Sequence, residues 1–205
     1  MEVVSGRPTA ARSRREPATL RGQPAGTELV LIGLGYQARV GKDSLARHLV
    51  AAHGFTQMAF ADALRELAQK VDPNLRATLR AHGNDWEVAK RQDPAVRETL
   101  QEVGEAVRET LGRDVWVRAL ASRLAPVGRY VVSDVRHVEE ALFIRDRGGL
   151  LVRVVRPRVG PANGHSSEHA LDDWTDWDAV VHNDGTLAAL AKAAAALAGV
   201  AGARE

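Results

Sequence analysis

The residues best suited to chemistry stand together in Gly35-Tyr36-Gln37-Ala38-Arg39-Val40-Gly41-Lys42-Asp43-Ser44. The apolar run 29–34 leads into them, and Leu45, Leu49 and Ala52 follow at the spacing of an amphipathic helix. A strand ending in a glycine-bearing loop turns backbone N–H groups inward, and the helix after it adds partial positive charge at its N-terminus. Such a loop holds a polyphosphate, with Lys42 reaching the terminal phosphates, and ATP is the ligand it implies. The spacing departs from the general pattern. Gly35 stands six positions before Gly41 rather than five, Asp43 fills the place usual for Ser or Thr, and Ser44 comes one place late. A glycine-rich turn carrying a surface lysine is the competing reading, against which the flanking strand and helix both weigh.

Two further groups could complete such a site. In 94–111, Asp93 reads as N-cap and Pro94 as first helical residue, and Val96, Leu100, Val103, Val107 and Leu111 form an apolar stripe. Arg97, Gln101, Gly104 and Arg108 run beside it within an arc of roughly 60°. A mid-helix glycine costs about 1 kcal/mol against alanine, and one set among two arginines and a glutamine reads as the lining of an anion pocket. The alternative is a solvated face paired with Glu98, Glu102, Glu105 and Glu109. The second group is Val131-Val132-Ser133-Asp134-Val135-Arg136, where a strand delivers Asp134 close to the phosphate loop, to hold Mg²⁺ directly or through water or else to cap the next helix. Asp62 is open in the same way: it meets the acceptor or an arginine, or caps the helix it begins.

Arg153, Arg156 and Arg158 precede or enter the Pro/Gly-rich stretch up to Asp172, which reads as a lid over the transferring group or as an ordinary surface loop. His165 and His169 lack a third convergent ligand and argue against a metal site there, and Ser166-Ser167-Glu168 reads as a capping sequence.

The elements that must position these residues alternate. Strands are expected at 28–33, 55–60, 129–133, 150–155 and 178–182, and helices at 42–52, 61–70, 94–111, 114–124, 137–147 and 187–199, with 72–92 a loose helical insertion anchored by Trp86. The pattern predicts an α/β fold with a mainly parallel sheet of about five strands and helices on both faces. A chain of 205 residues, 45% hydrophobic, suits one domain, 28–200. Residues 1–27, rich in Arg, Gly and Pro, read as a disordered leader, an early start codon or a nucleic-acid arm. A net charge of +2 does not by itself argue nucleic-acid binding, and with no cysteine there is neither disulfide nor thiolate metal site. No secretory or membrane-spanning segment is evident, so cytoplasm is the expected location, and no membrane partner is expected.

Seven blocks in order bring a family into view: GYQARVGKDS (35–44), FADALRE (60–66), LQEVGEAVRETLGRDVW (100–116), SDVRHVEEA (133–141), GGLLVRVVRP (148–157), HSSEHALD (165–172) and HNDGT (182–186). From about residue 28 to 195 the chain resembles the bacteriophage-type deoxynucleoside monophosphate kinases, a P-loop kinase group related to animal-type phosphomevalonate kinase. Gly-Lys-Asp followed by Thr is common there, so Asp43 is an expected departure and Ser44 matches the threonine. The resemblance implies a three-layer P-loop NTPase fold with an acceptor-binding helical insertion at about 61–125 and a short lid at about 156–172. It implies ATP on Gly35, Arg39, Gly41, Lys42, Asp43 and Ser44, with Asn183 toward the base, although an Asx-turn or cap role for Asn183 is equally open. The acceptor would meet Asp62, Arg65, Arg97, Gln101, Arg108 and Trp116. Ser44 and Asp134 would hold Mg²⁺, and Lys42, Arg136 and Arg156 would carry the catalytic charge.

The expected reaction is reversible in-line transfer of the ATP γ-phosphoryl to a deoxynucleoside 5′-monophosphate, by a monomer or homodimer. Rivals are a kinase of phosphomevalonate or dephospho-coenzyme A, a nucleotide-binding protein without transfer, and a nucleic-acid module that uses the basic tail.

Overall fold

A computed structural model describes residues 28–157, 159–160 and 165–204. The expectations for the N-terminal tail, Arg158 and part of the lid lie outside those residues.

Five parallel strands, β1 (Leu29–Gly35), β2 (Thr56–Met58), β3 (Gly128–Val135), β4 (Leu150–Val155) and β5 (Ala179–His182), form one sheet in the order β2-β3-β1-β4-β5. The most apolar strand, β1, lies at the centre because both its faces are covered. Val30, Ile32 and Leu34 meet α1 (Lys42–His53) and α8 (Leu187–Gly202) on one side, with Leu45, Leu49, Leu190 and Leu197 in the same cluster. Leu31, Val132 and Leu151 face the other way, onto α6 (Val115–Ala121) and α7 (Val138–Asp146) through Trp116, Leu120, Phe143 and Ile144. Burying each such large side chain contributes roughly 1.5–3 kcal/mol, so these two layers carry most of the stability.

Between β2 and β3 the chain makes α2 (Ala61–Val71), α3 (Pro73–Ala81), α4 (Trp86–Gln92), α5 (Pro94–Leu111) and α6. Residues 72–92 are thus two short helices, each started by an aspartate: the Asp72 carboxylate accepts from Asn74 N–H at 2.8 Å and that of Asp85 from Glu87 N–H at 2.8 Å. Ala68, Leu75, Leu79, Ala89, Val96 and Leu100 form a third, separate core, with Leu64 and Trp86 packed against it.

Three expectations need correction. The second strand keeps only 56–58, because Phe55 is drawn into the α1 side of the core and Phe60 leads into α2. The third strand runs on to Val135, which puts Ser133 and Asp134 inside it. On α5 the deepest line is Val96, Leu100, Gly104 and Arg108, with Leu111 58% exposed. That helix packs on neighbouring helices, not on the sheet, so its buried face is turned away from the stripe that hydropathy alone selects.

Candidate active site

The phosphate-loop residues follow β1. The position five before Gly41, where the general pattern has its first glycine, is Tyr36, and it takes a left-handed φ of 90°. A side chain there is strained. The Arg153 guanidinium stacks 4.1 Å from the ring centre, and Tyr36 N–H donates to the Val135 carbonyl at 3.2 Å. Gly35 has a different task from the expected one: a Cβ there would lie 2.7 Å from the Trp177 ring, so this glycine admits an indole. Gly41 combines φ 102° with a crowded flank, where an added Cβ would meet the Asn183 amide nitrogen at 2.3 Å. That nitrogen donates to the Val40 carbonyl at 2.8 Å, so Asn183 pins the loop from outside. Neither the Asx-turn nor the cap that the sequence allowed describes this contact.

Lys42 is only 6% exposed and donates to the carbonyls of Tyr36, at 3.0 Å, and Gln37. Burial first, then the neighbouring Arg136 charge, bring its pKa down to about 7. Ser44 accepts from Arg47 at 3.1 Å one turn into α1.

Facing this loop is a cavity of about 990 Å³ that Lys42, Ser44, Asp134 and Arg136 line together with Arg97, Gln101 and Arg108. Arg39, Asp43, Asp62, Arg65, Trp116 and Arg156 border it as well. The expected phosphate-loop side and the expected acceptor side therefore share one space, while Gly35 and Asn183 stand outside it. Arg97 feels burial first and then the charges of Arg39 and Arg136, and its pKa is lowered.

Gly104, read from sequence as a mark of the anion pocket, has another cause. Its missing Cβ would come 3.1 Å from Leu64, so the glycine lets α5 lie close to α2, and Trp116 Nε1–H donates to its carbonyl at 3.3 Å. Arg108 is buried but engaged, donating to the Arg113 carbonyl at 2.8 Å with Glu139 at 3.6 Å and Glu105 at 3.8 Å. Of the competing reading of this face, the pairing with Glu105 is present, but Arg108 is buried rather than solvated. Asp62 meets an arginine, accepting from Arg65 at 3.2 Å, but does not cap its helix: its other oxygen accepts from Ala59 N–H, ahead of α2, at 2.9 Å.

The two oxygens of Asp134 accept from Phe60 N–H at 2.8 Å and Ala61 N–H at 3.0 Å, so it caps α2 rather than its own following helix. A carboxylate retains lone pairs beyond these bonds. With the Ser44 hydroxyl on the same cavity it gives a hard-oxygen donor pair of the kind Mg²⁺ takes while keeping waters and phosphate oxygens. Among the described residues no cluster of three or more His, Cys, Asp or Glu is placed to hold a metal by itself.

Two buried acids escaped the sequence reading. Glu140 accepts from the backbone N–H groups of Arg136, at 2.7 Å, and His137, at 3.1 Å, and burial together with the nearby Asp134 charge raises its pKa to about 8. Glu168 accepts from the loop's Ala38 N–H at 3.0 Å and pairs with Arg136. His137 is half-buried; desolvation first, then the charges of Arg108 and Arg136, push its pKa down to about 3 and keep it neutral. In the sequence a capping pattern marked Glu168 alone, Glu140 stood out only as part of the 133–141 block, and neither signal says that the acid is buried.

Residues 73–193 match the model of a family described as "Deoxynucleotide monophosphate kinase". A protein of Acanthamoeba polyphaga mimivirus named "Putative deoxynucleotide monophosphate kinase" is 29% identical, over 78% of this chain and 91% of its own. Among solved structures, TT1252 from Thermus thermophilus is similar at 20% identity and TM-score 0.40, covering 84% of this chain and 98% of its own. A sugar kinase from Janibacter sp. HTCC2649 is similar at 15% identity and TM-score 0.40, covering 86% and 97%. The family match takes in helices α3 to α6, β3, the Asp134 and Arg136 segment and the loop clamp Asn183, more than half of the sequence, and on that extent the chain belongs to the deoxynucleotide monophosphate kinase family.

Proposed function

We propose that the protein transfers the γ-phosphoryl of ATP to a deoxynucleoside 5′-monophosphate, giving the diphosphate and ADP. The observation that carries this reading is the single cavity bordered by Lys42 on one side and by Arg97 and Gln101 on the other. In-line transfer between two phosphates needs the reacting oxygens brought together and their charge neutralised, and the attacking phosphate oxygen is already ionised at neutral pH. Gly41, Lys42 and the loop N–H groups take the ATP phosphates, with Arg39 at the rim. Arg97, Gln101 and Arg65 receive the acceptor phosphate, Arg108 holds the wall behind them, and Trp116 and Asp62 shape its floor and edge. Arg136 and Arg156 neutralise the group in transit. Mg²⁺, held by Ser44 and Asp134, supplies charge neutralisation on the phosphate oxygens when bound. Residues 28–200 act as one kinase domain, with 61–125 as the acceptor-binding part and 156–172 as the lid. The Gly-Lys-Asp-Ser order of the loop supports placing the chain with the bacteriophage-type members of the family.

Incubation with ATP, Mg²⁺ and each common deoxy- and ribonucleoside monophosphate, followed by quantification of diphosphates, tests the proposal. Phosphomevalonate and dephospho-coenzyme A serve as contrast acceptors. Product with a deoxynucleotide and none with the contrasts is expected. ATP binding with no acceptor-stimulated ADP would overturn transfer, and turnover of a contrast acceptor alone would overturn the substrate class.

A further inference from the structure

Glu168 is the one buried residue among 165–170, and it is an acid, its side chain 1% exposed. It rides on a short 3₁₀ turn, Ser166–Glu168, which is followed by exposed His169 and Ala170 and then by Leu171, buried in the α7-side core. No apolar side chain between 165 and 170 is buried, so that turn is seated by its carboxylate. One oxygen takes the Ala38 N–H of the phosphate loop and the other the Arg136 guanidinium. Its negative charge also acts on Lys42 and on Arg97. The carboxylate therefore holds one backbone N–H of the loop assigned to the ATP phosphates and the guanidinium assigned to the group in transit. A backbone N–H serves one anion at a time, and a carboxylate beside a polyphosphate is repelled by it.

We propose that Glu168 is an internal anion occupying the phosphoryl position, and that the ATP phosphates bind by displacing it and releasing the 165–168 turn. This rests on the reading of 36–42 as the nucleotide's phosphate loop. Glu168 thereby sets nucleotide affinity: it compensates the Arg136, Lys42 and Arg97 charges when the loop holds no nucleotide, and it yields to a stronger anion of the same geometry. Little apolar burial is lost when the turn leaves.

The experiment is calorimetric titration of the full chain with Mg²⁺ and a non-hydrolysable ATP analogue, and separately with inorganic tripolyphosphate, for wild type and Glu168→Gln. The variant keeps an oxygen for Ala38 N–H but removes the charge. Both ligands are expected to bind it roughly tenfold more tightly than wild type, the order of one charge-assisted hydrogen bond. Equal or weaker binding would overturn the proposal. Should the variant not fold, hydrogen exchange on wild type decides instead. The amides of Glu168 and His169, which bond to His165 and Ser166, are expected to exchange faster when the analogue binds, and slower or unchanged exchange overturns the displacement. A wild type that fails to bind the analogue would refute the phosphate-loop reading itself, whereas binding without a gain in the variant refutes only this inference.

Discussion

Lys42 is held in surroundings that oppose its charge, with a pKa brought down to about 7 by burial and Arg136. Between about pH 7 and its unfolded value of 10.5 the folded chain binds fewer protons at this site than the unfolded chain, so stability from Lys42 rises with pH across that window and the cost is constant below it. Phosphates placed against the ammonium would restore its proton. Calorimetry of nucleotide binding at pH 8, in buffers of low and high ionisation enthalpy, is expected to show net proton uptake. Lys42→Met should abolish that uptake and lower turnover by about 10²–10³-fold or more with an unchanged circular dichroism spectrum. Binding without uptake would place the lysine away from the phosphates. Glu140 has the opposite sign. Its pKa is raised to about 8 from 4.5, so the folded state holds an extra proton through that range and stability from this group falls as pH rises across it. Glu140→Gln is expected to gain about 1–2 kcal/mol over wild type at pH 9 and much less at pH 5, as measured by urea unfolding.

Helix α5 shows what patterning conveys and what it omits. Asp93 and Pro94 mark its start, and the Asp93 carboxylate accepts from Ala95 N–H at 3.1 Å. The side that borders the cavity was also readable, since Arg97, Gln101 and Arg108 recur at helical spacing. The cause of Gly104 was not, because Leu64 belongs to another helix and nothing local foretells the approach. Leu64 is half-buried and borders the cavity, so it has room to move. Gly104→Ala is therefore expected to change stability by less than about 1 kcal/mol, the helix gain offsetting the crowding, while raising the acceptor KM and leaving that of ATP. The loop before α1 makes the complementary case. Asn183→Ala removes its outer pin, with an expected loss of about 1 kcal/mol and a raised KM for ATP only. Coupled ADP-release kinetics separate the two patterns.

Across the molecule, the layers and the order of elements were legible because β1, β3 and β4 are apolar runs separated by helical periods. The short β2, the targets of Asp134 and Asn183, and the burial of Glu140 and Glu168 were not, since each depends on which distant backbone group the fold brings alongside. The three cores give the halves of the site separate foundations: the sheet layers support the phosphate loop, and the α2–α5 cluster supports the acceptor wall. Leu79→Ala, at a buried position of that cluster, should cost about 2–5 kcal/mol, increase hydrogen exchange in 61–111 and raise the acceptor KM, with nucleotide affinity kept. Loss of nucleotide binding as well would show that the cores unfold together. The two contacts that finish the loop reach far along the chain: Glu168 lies 130 residues from Ala38, and Asn183 lies 143 from Val40. During synthesis the lysine and its glycines leave the ribosome long before these partners exist, so a nascent chain that stops short of Glu168 has every phosphate-binding residue of the loop and neither of the contacts that finish its shape.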